Sequence, residues 1–405
     1  MTTTTAPSTS VLDDLCSPYL PFDASSSIWS DVIPTPQSES STSPMCPILY
    51  NPDYSTAMSL YRTLTACHSS PLSSPLTSLE LTPRALALTA HLIQLNPSHF
   101  SIWQYRALVL LHSPQLAQAP GGRDAVLESE LRWLEELAHK NMKSYQVWQH
   151  RRLVVSALGH PGRELEFVAE NLERDAKNYH TWGYRQWILS HFGGLSLPLE
   201  QNKQKGKVAG SKGAGQFPEI WKGEEEYVDQ LLMQDVRNNS AWNHRWFLHF
   251  SRFGLTGNPS RSTSWHTHPE SVLQDLRKKI RFEIAYTRAS LANTPNNASA
   301  WNYLRALHLS FPRELQTKLN EALSWVKTLV STNLEAEKDP SVDVMGRSPV
   351  GALEWWLDCL AEEKQAAAVV VEEAEALVKR LIVADPVRKR FYAYRLKSIR
   401  RSITA

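Results

Sequence analysis

Lys143-Ser144-Tyr145-Gln146-Val147-Trp148-Gln149-His150-Arg151-Arg152 and Asn178-Tyr179-His180-Thr181-Trp182-Gly183-Tyr184-Arg185-Gln186-Trp187 are two copies of one phrase. In each, a tryptophan is followed two residues later by His or Tyr and three residues later by Arg. The pairing recurs along the chain as Trp103/Arg106, Trp148/Arg151, Trp182/Arg185, Trp242/Arg245, Trp301/Arg305 and Tyr392/Arg395. Seven residues before each aromatic stands Asn96, Asn141, Asp175, Asp235, Thr294 or Asp385. A spacing of three or four puts ring and guanidinium on one helix face, and Asn, Asp and Thr end turns and cap helix N-termini. The register predicts cap, turn, then a helix whose buried aromatic and arginine return copy after copy. This is the pattern of a helical repeat protein.

Successive anchors are 45, 34, 60, 59 and 91 residues apart. The shortest spacing matches helix–turn–helix units of the tetratricopeptide class, and the longer ones read as that unit plus loops. Gly- and Lys-rich text near 193–216 and Gly-, Ser- and His-rich text near 254–270 supply two flexible inserts. The last gap holds Gly346-Arg347-Ser348-Pro349 and then residues 353–384, which read as helix. First helices of the pairs are predicted at 125–139, 164–174 and 224–234. The expected fold is all-α, a right-handed α–α superhelix forming a crescent-shaped solenoid with a broad concave face. It spans 46–400, after a Ser/Thr/Pro-rich arm at 1–45 that is mostly disordered. Within and just after that arm, Trp29 to Pro34, Ile48, Tyr50, Met58 and Tyr61 are apolar enough to dock.

Bulk properties exclude several classes. Lys+Arg 43 against Asp+Glu 41 leaves +2 over 405 residues, unsuited to nucleic acid. Cys16, Cys46, Cys67 and Cys359 lie far apart, with no CxxC and no His at ligand spacing, which argues against disulfides or a metal site in this chain. No apolar run reaches about 18 residues, so no stable membrane insertion is expected. The N-terminus has no basic start followed by an apolar stretch, so a cytoplasmic setting is expected.

The repeated tryptophans read as core, and the arginines as stacking on rings or bonding carbonyls of the adjacent turn. In the fifth copy Leu304 intervenes and the arginine moves to +4; the sixth has Tyr392 for Trp, as suits a terminal repeat. The informative positions vary between copies. Lys143, Lys177 and Arg237 stand five before the Trp; Tyr145 and Tyr179 stand three before it. A basic residue, a phenol and a helix N-terminus together suit an anion, though spacing alone equally allows a solvated turn. The sequons at Asn238 and Asn297 read as chance, His266 and His268 as a loop pair, and lysines 203, 205, 207 and 212 as a solvated loop.

The two opening segments, with Asn238-Asn239-Ser240-Ala241-Trp242-Asn243-His244-Arg245-Trp246, Trp29-Ser30-Asp31-Val32, Pro34-x-Pro36-Gln37 and Asp385-Pro386-Val387-Arg388, resemble the prenyltransferase alpha-subunit repeat family. The wording is closest to the form shared by protein farnesyltransferase and protein geranylgeranyltransferase type I. The resemblance runs from about 29 to 397, interrupted by the inserts. It implies a heterodimer whose beta subunit holds the catalytic Zn2+ and most of the isoprenoid pocket, with Mg2+ for the farnesyl reaction. It implies transfer from an isoprenyl diphosphate to the cysteine of CaaX-terminated proteins. By position, Lys143 and Tyr179 become the catalytic pair at the diphosphate, and Gln146, His180 and Phe100 become substrate-binding residues. Gln146 matches the glutamine that bonds the CaaX carboxylate. Phe100 stands where a tyrosine often lines the product groove, without the hydroxyl. Two alternatives remain: the alpha subunit of Rab geranylgeranyltransferase, disfavoured by Gln146, and a non-catalytic helical-repeat scaffold, disfavoured by Lys143, Tyr179 and Gln146 together.

Overall fold

A computed structural model describes residues 22–37, 48–66, 79–195, 212–251, 269–311, 319–332, 348–362 and 367–404. Cys16, Cys46, Cys67, His266, His268, lysines 203, 205 and 207, most of both inserts and residues 1–21 of the arm lie outside them. The described residues are all-α, an α–α repeat solenoid, with no strand among them. They fall into two compact units, one up to Trp221 and one from Lys222. The first unit holds α1 (Pro52–Ala66), α2 (Pro83–Leu95), α3 (Phe100–His112), the single turn α4 (Pro114–Ala117), α5 (Gly122–Lys140), α6 (Tyr145–Leu158), α7 (Glu164–Arg174) and α8 (Tyr179–Gly193). The second holds α9 (Glu224–Gln234), α10 (Asn239–Phe250), α11 (Glu270–Asn293), α12 (Ala298–Ser310), α13 (Leu319–Thr332), α14 (Val350–Glu362), α15 (Ala367–Ala384) and α16 (Lys389–Thr404).

The caps are shifted from the sequence reading. Asn96, Asn141, Asp175, Asp235 and Thr294 are C-caps that stop the first helix of each pair, not N-caps of the second. Three of them turn the chain by side-chain bonds, Asn96, Asp175 and Asp235 accepting from the backbone N–H two residues on. The N-caps lie three residues further along. Asn178 Oδ1 accepts from the N–H groups of His180 and Thr181, Asn238 from Ser240 and Ala241, and Asn297 from Ser299 and Ala300. Asn238 and Asn297 are buried in this role, which withdraws both sequons from solvent.

Trp103, Trp148, Trp182, Trp242 and Trp301 are all buried core residues, each ring worth on the order of 2–3 kcal/mol. They also shape the turn. Each indole N–H donates to the carbonyl six residues earlier, at Pro97, Met142, Ala176, Val236 and Pro295, over 2.7 to 3.0 Å.

The arginines do more than the sequence reading allowed. Arg106 and Arg151 do bond carbonyls twenty residues back, at Leu86 and Leu131, and lie over the rings of Trp133 and Phe167. Their main partner is a buried glutamate of the following pair. Arg106 clamps Glu130 through Nε and Nη2 at 2.8 and 2.6 Å, Arg151 clamps Glu164 at 2.7 Å twice, and Arg245 clamps Glu283 at 2.7 and 2.9 Å. Each of these glutamates is also held by the His or Tyr of its own second helix: His150, Tyr184 and Tyr303. Burial alone would raise the Glu130 carboxyl, but Arg106 and His150 outweigh it and bring it down to about 2. Burial first, then Glu164, pushes the Tyr184 phenol well above its ordinary range.

The 91-residue gap hides another helix pair. α13 packs on α14, and α14 on α12. Trp355 is buried as the other anchors are, but three residues after it stands Asp358, not Arg. Asp358 pairs with Arg305 of the copy before and Arg395 of the copy after. The helix expected over 353–384 is therefore two, α14 and α15. The apolar stretch near the start docks in part. Trp29 is buried beneath Arg84, which bonds Asp31, while Ile33 and Ile48 stay exposed. The described end of the first insert is anchored, Gly215 and Phe217 donating to the carbonyls of His191 and Phe192 at the end of α8.

Candidate functional site

Three successive turns of the first unit, 96–99, 141–144 and 175–178, lie side by side and are cross-tied. Gln146 Nε2 donates to the Ser98 carbonyl at 3.2 Å, and its Oε1 accepts from Ser144 Oγ at 3.1 Å. Asn178 Nδ2 donates to the Met142 carbonyl at 3.3 Å. The Met142 carbonyl therefore accepts twice, from Trp148 and from Asn178, and the next residue in the chain is Lys143. Its ammonium is exposed and makes no ion pair among the described residues. Beside it runs a groove of about 670 Å³ lined by residues 97–98 and 139–146, Lys140 and His139 among them.

An exposed aromatic opens each second helix on this edge: Phe100 at the start of α3, Tyr145 of α6 and Tyr179 of α8, 67%, 68% and 76% exposed. The equivalent residues in the second unit are Asn239 and Ala298, so the aromatic row belongs to the first unit. His180 sits edge-on to Tyr145 at 4.3 Å and to Tyr179 at 5.6 Å. Burial lowers its pKa below the ordinary 6.5, so the ring is neutral at pH 7.

All five residues singled out in the sequence thus lie on one edge. Gln146, Lys143, Tyr179 and His180 are linked through the ties at Ser98, Met142 and Asn178, and Phe100 follows two residues after Ser98. Tyr145, the phenol three before Trp148 as Tyr179 is before Trp182, lies with them against His180. The edge can hold an anion, with an ammonium, a phenol and an amide N–H on rigidly tied turns. Of the groove residues only His139 is a metal-ligand type, and none is Cys, Asp or Glu. In the second unit, Glu225, His249 and Glu283 bring ligand atoms within 4.8 Å of one another. Glu283 is already clamped by Arg245, and Lys279 lies 3.6 Å from Glu225, so the local charge opposes a cation.

Fold and edge together define a helical-repeat protein with a cationic, aromatic-lined row of turns. The family model of the protein prenyltransferase alpha subunit repeat matches residues 82–113, 127–158, 161–192, 221–251 and 280–311, each containing one Trp anchor. Over 296 residues the chain is 33% identical to the protein farnesyltransferase/geranylgeranyltransferase type-1 subunit alpha of Pisum sativum, covering 73% of this chain and 68% of that one. The same-named subunit of Arabidopsis thaliana is 29% identical over 394 residues, 92% and 94% of the two chains. The geranylgeranyl transferase type-2 subunit alpha of Saccharomyces cerevisiae is more distant, 22% identical over 342 residues, 77% and 85% of the two. The chain belongs to the protein prenyltransferase alpha-subunit family.

Proposed function

We propose that this chain is the alpha subunit of a heterodimeric CaaX protein prenyltransferase, stabilising the diphosphate leaving group and scaffolding a beta subunit in the cytoplasm. The observation that carries the reading is Lys143, an exposed ammonium on a turn tied down twice at Met142. As the substrate thiolate attacks C1 of the isoprenyl diphosphate, an S–C bond forms and the C–O bond breaks. The electron pair leaves on the diphosphate oxygen. A cation already in place there favours the transition state over the ground state. The Tyr179 phenol donates a hydrogen bond to the same phosphate. Gln146, with one amide N–H beyond that given to Ser98, donates to the C-terminal carboxylate of the CaaX peptide. Neutral His180, Phe100 and Tyr145 give the peptide and the isoprenoid a wall of rings.

In this reading Zn2+ and most of the isoprenoid pocket belong to the beta subunit, and Mg2+ accompanies the diphosphate. Co-expression with a farnesyltransferase beta subunit tests the reading. A one-to-one complex that transfers farnesyl to a CaaX peptide only with zinc supports it. A soluble chain that ignores that subunit turns the reading toward the Rab enzyme or a scaffold.

A further inference from the structure

The helix α16 carries a charge imbalance that the prenyltransferase reading does not use. It contains Lys389, Arg390, Arg395, Lys397, Arg400 and Arg401 and no acidic residue, in a chain whose net charge is only +2. These cations divide by direction. Facing its own unit, Arg395 pairs with Asp358 of α14 and Arg400 with Glu375 of α15 at 2.6 Å. Just before the helix, Arg388 pairs with Glu354 at 2.8 Å. These bonds, over buried Tyr392 and Ile399, hold α16 in place.

On the other side, Arg390, Tyr394, Lys397 and Arg401 stand at i, i+4, i+7 and i+11, a single stripe, and all four are exposed. Arg390, Lys397 and the neighbouring Lys389 make no ion pair among the described residues. Tyr394 stands 65% exposed in the middle of the stripe. A face kept polar for solubility alone mixes both signs; this one has a single sign with a phenol at its centre. The stripe lies on the outside of one helix, and among the described residues no second element walls a groove beside it for an extended chain. Its complement is a flat anionic surface.

We propose that the α16 stripe docks peripherally on an anionic bilayer, with lipid phosphates and carboxylates meeting Arg390 and Lys397 and the Tyr394 ring at headgroup depth. The docking is electrostatic. No described helix is long and apolar enough to cross a membrane, and Tyr392 and Ile399 of α16 are buried in packing. Neither the Lys143 edge nor a beta subunit is needed, so this inference and the enzymatic reading stand or fall separately.

Co-sedimentation of the full chain tests it, using phosphatidylcholine vesicles with and without about 30 mol% phosphatidylserine at about 0.1 M and 0.5 M salt. Binding is expected only to the phosphatidylserine vesicles, and release at the higher salt. Each basic residue near such a leaflet is worth about fivefold in partition, so Arg390→Glu with Lys397→Glu should lower binding at least about 20-fold. Tyr394→Ser should give a smaller loss. These side chains are exposed, and an unchanged melting curve shows that the variants fold. Equal binding to both vesicle types, undiminished binding of the double variant, or no binding at low salt overturns the proposal. Capture by polyglutamate or an oligonucleotide without any vesicle binding also overturns it, in favour of a macromolecular polyanion.

Discussion

Lys143 owes its position to other groups. The Met142 carbonyl before it is fixed by the Trp148 indole at 2.8 Å and by Asn178 from the next repeat, so the turn cannot follow a moving ligand. That preorganisation is the condition under which one cation lowers a barrier. In the heterodimer, Lys143→Ala should lower the single-turnover rate about 10- to 1000-fold while isoprenoid affinity changes much less. An unchanged rate would end the claim for that residue. Trp148→Phe keeps most of the buried ring and removes the N–H that holds Met142. Urea unfolding should register a loss of about 1 kcal/mol or somewhat more, with a parallel fall in rate if the turn serves Lys143.

Between elements, the recurring device is a buried glutamate gripped by the arginine of one pair and the His or Tyr of the next. Such a triad contributes little beyond a well-packed apolar core while intact, but removing one member strands a charge. Glu130→Gln leaves Arg106 buried without its counter-ion and should cost about 3–5 kcal/mol at pH 7, measured by denaturant unfolding. The pH dependence follows from the sign of the shift. The folded carboxyl is held near 2, below its ordinary 4.5, so its contribution is present above the ordinary value and fades as pH falls from 4.5 toward 2. In the Gln variant that part of the acid limb should vanish. A limb of the same steepness in both proteins would mean that Glu130 is not what titrates.

For the whole chain, near-neutral charge conceals a local division of labour. The cationic turn edge lies in the first unit, the basic stripe of α16 in the second, and the only described group of metal-ligand side chains is internally neutralised. If zinc sits in a beta subunit, as proposed, the chain by itself should be catalytically silent. Chelation with EDTA should leave its thermal unfolding unchanged, while abolishing transfer by the reconstituted heterodimer. If chelation lowered the melting temperature of the isolated chain, the Glu225–His249–Glu283 group would have to hold a metal after all.

The sequence by itself determined the repeat, the all-α class and two elements to the residue, α7 and α9, because helix periodicity, caps and turns act over a few residues. It also supplied Lys143, Gln146, Tyr179, His180 and Phe100, though their roles came through family likeness. It misplaced the caps by three residues, since Asn and Asp serve either helix end. Tertiary structure alone decided the rest. Glu130, Glu164, Glu224 and Glu283 each lie eighteen residues before their Trp, a regularity visible once sought. Yet the arginine that clamps Glu130, Glu164 or Glu283 is 24, 13 or 38 residues away, because the intervening loops vary in length. Gln146 likewise finds Ser98 across 48 residues. Local propensity carries no term for such distances, and only the stacking of helix pairs, driven by burial of their shared faces, brings these groups within bonding reach.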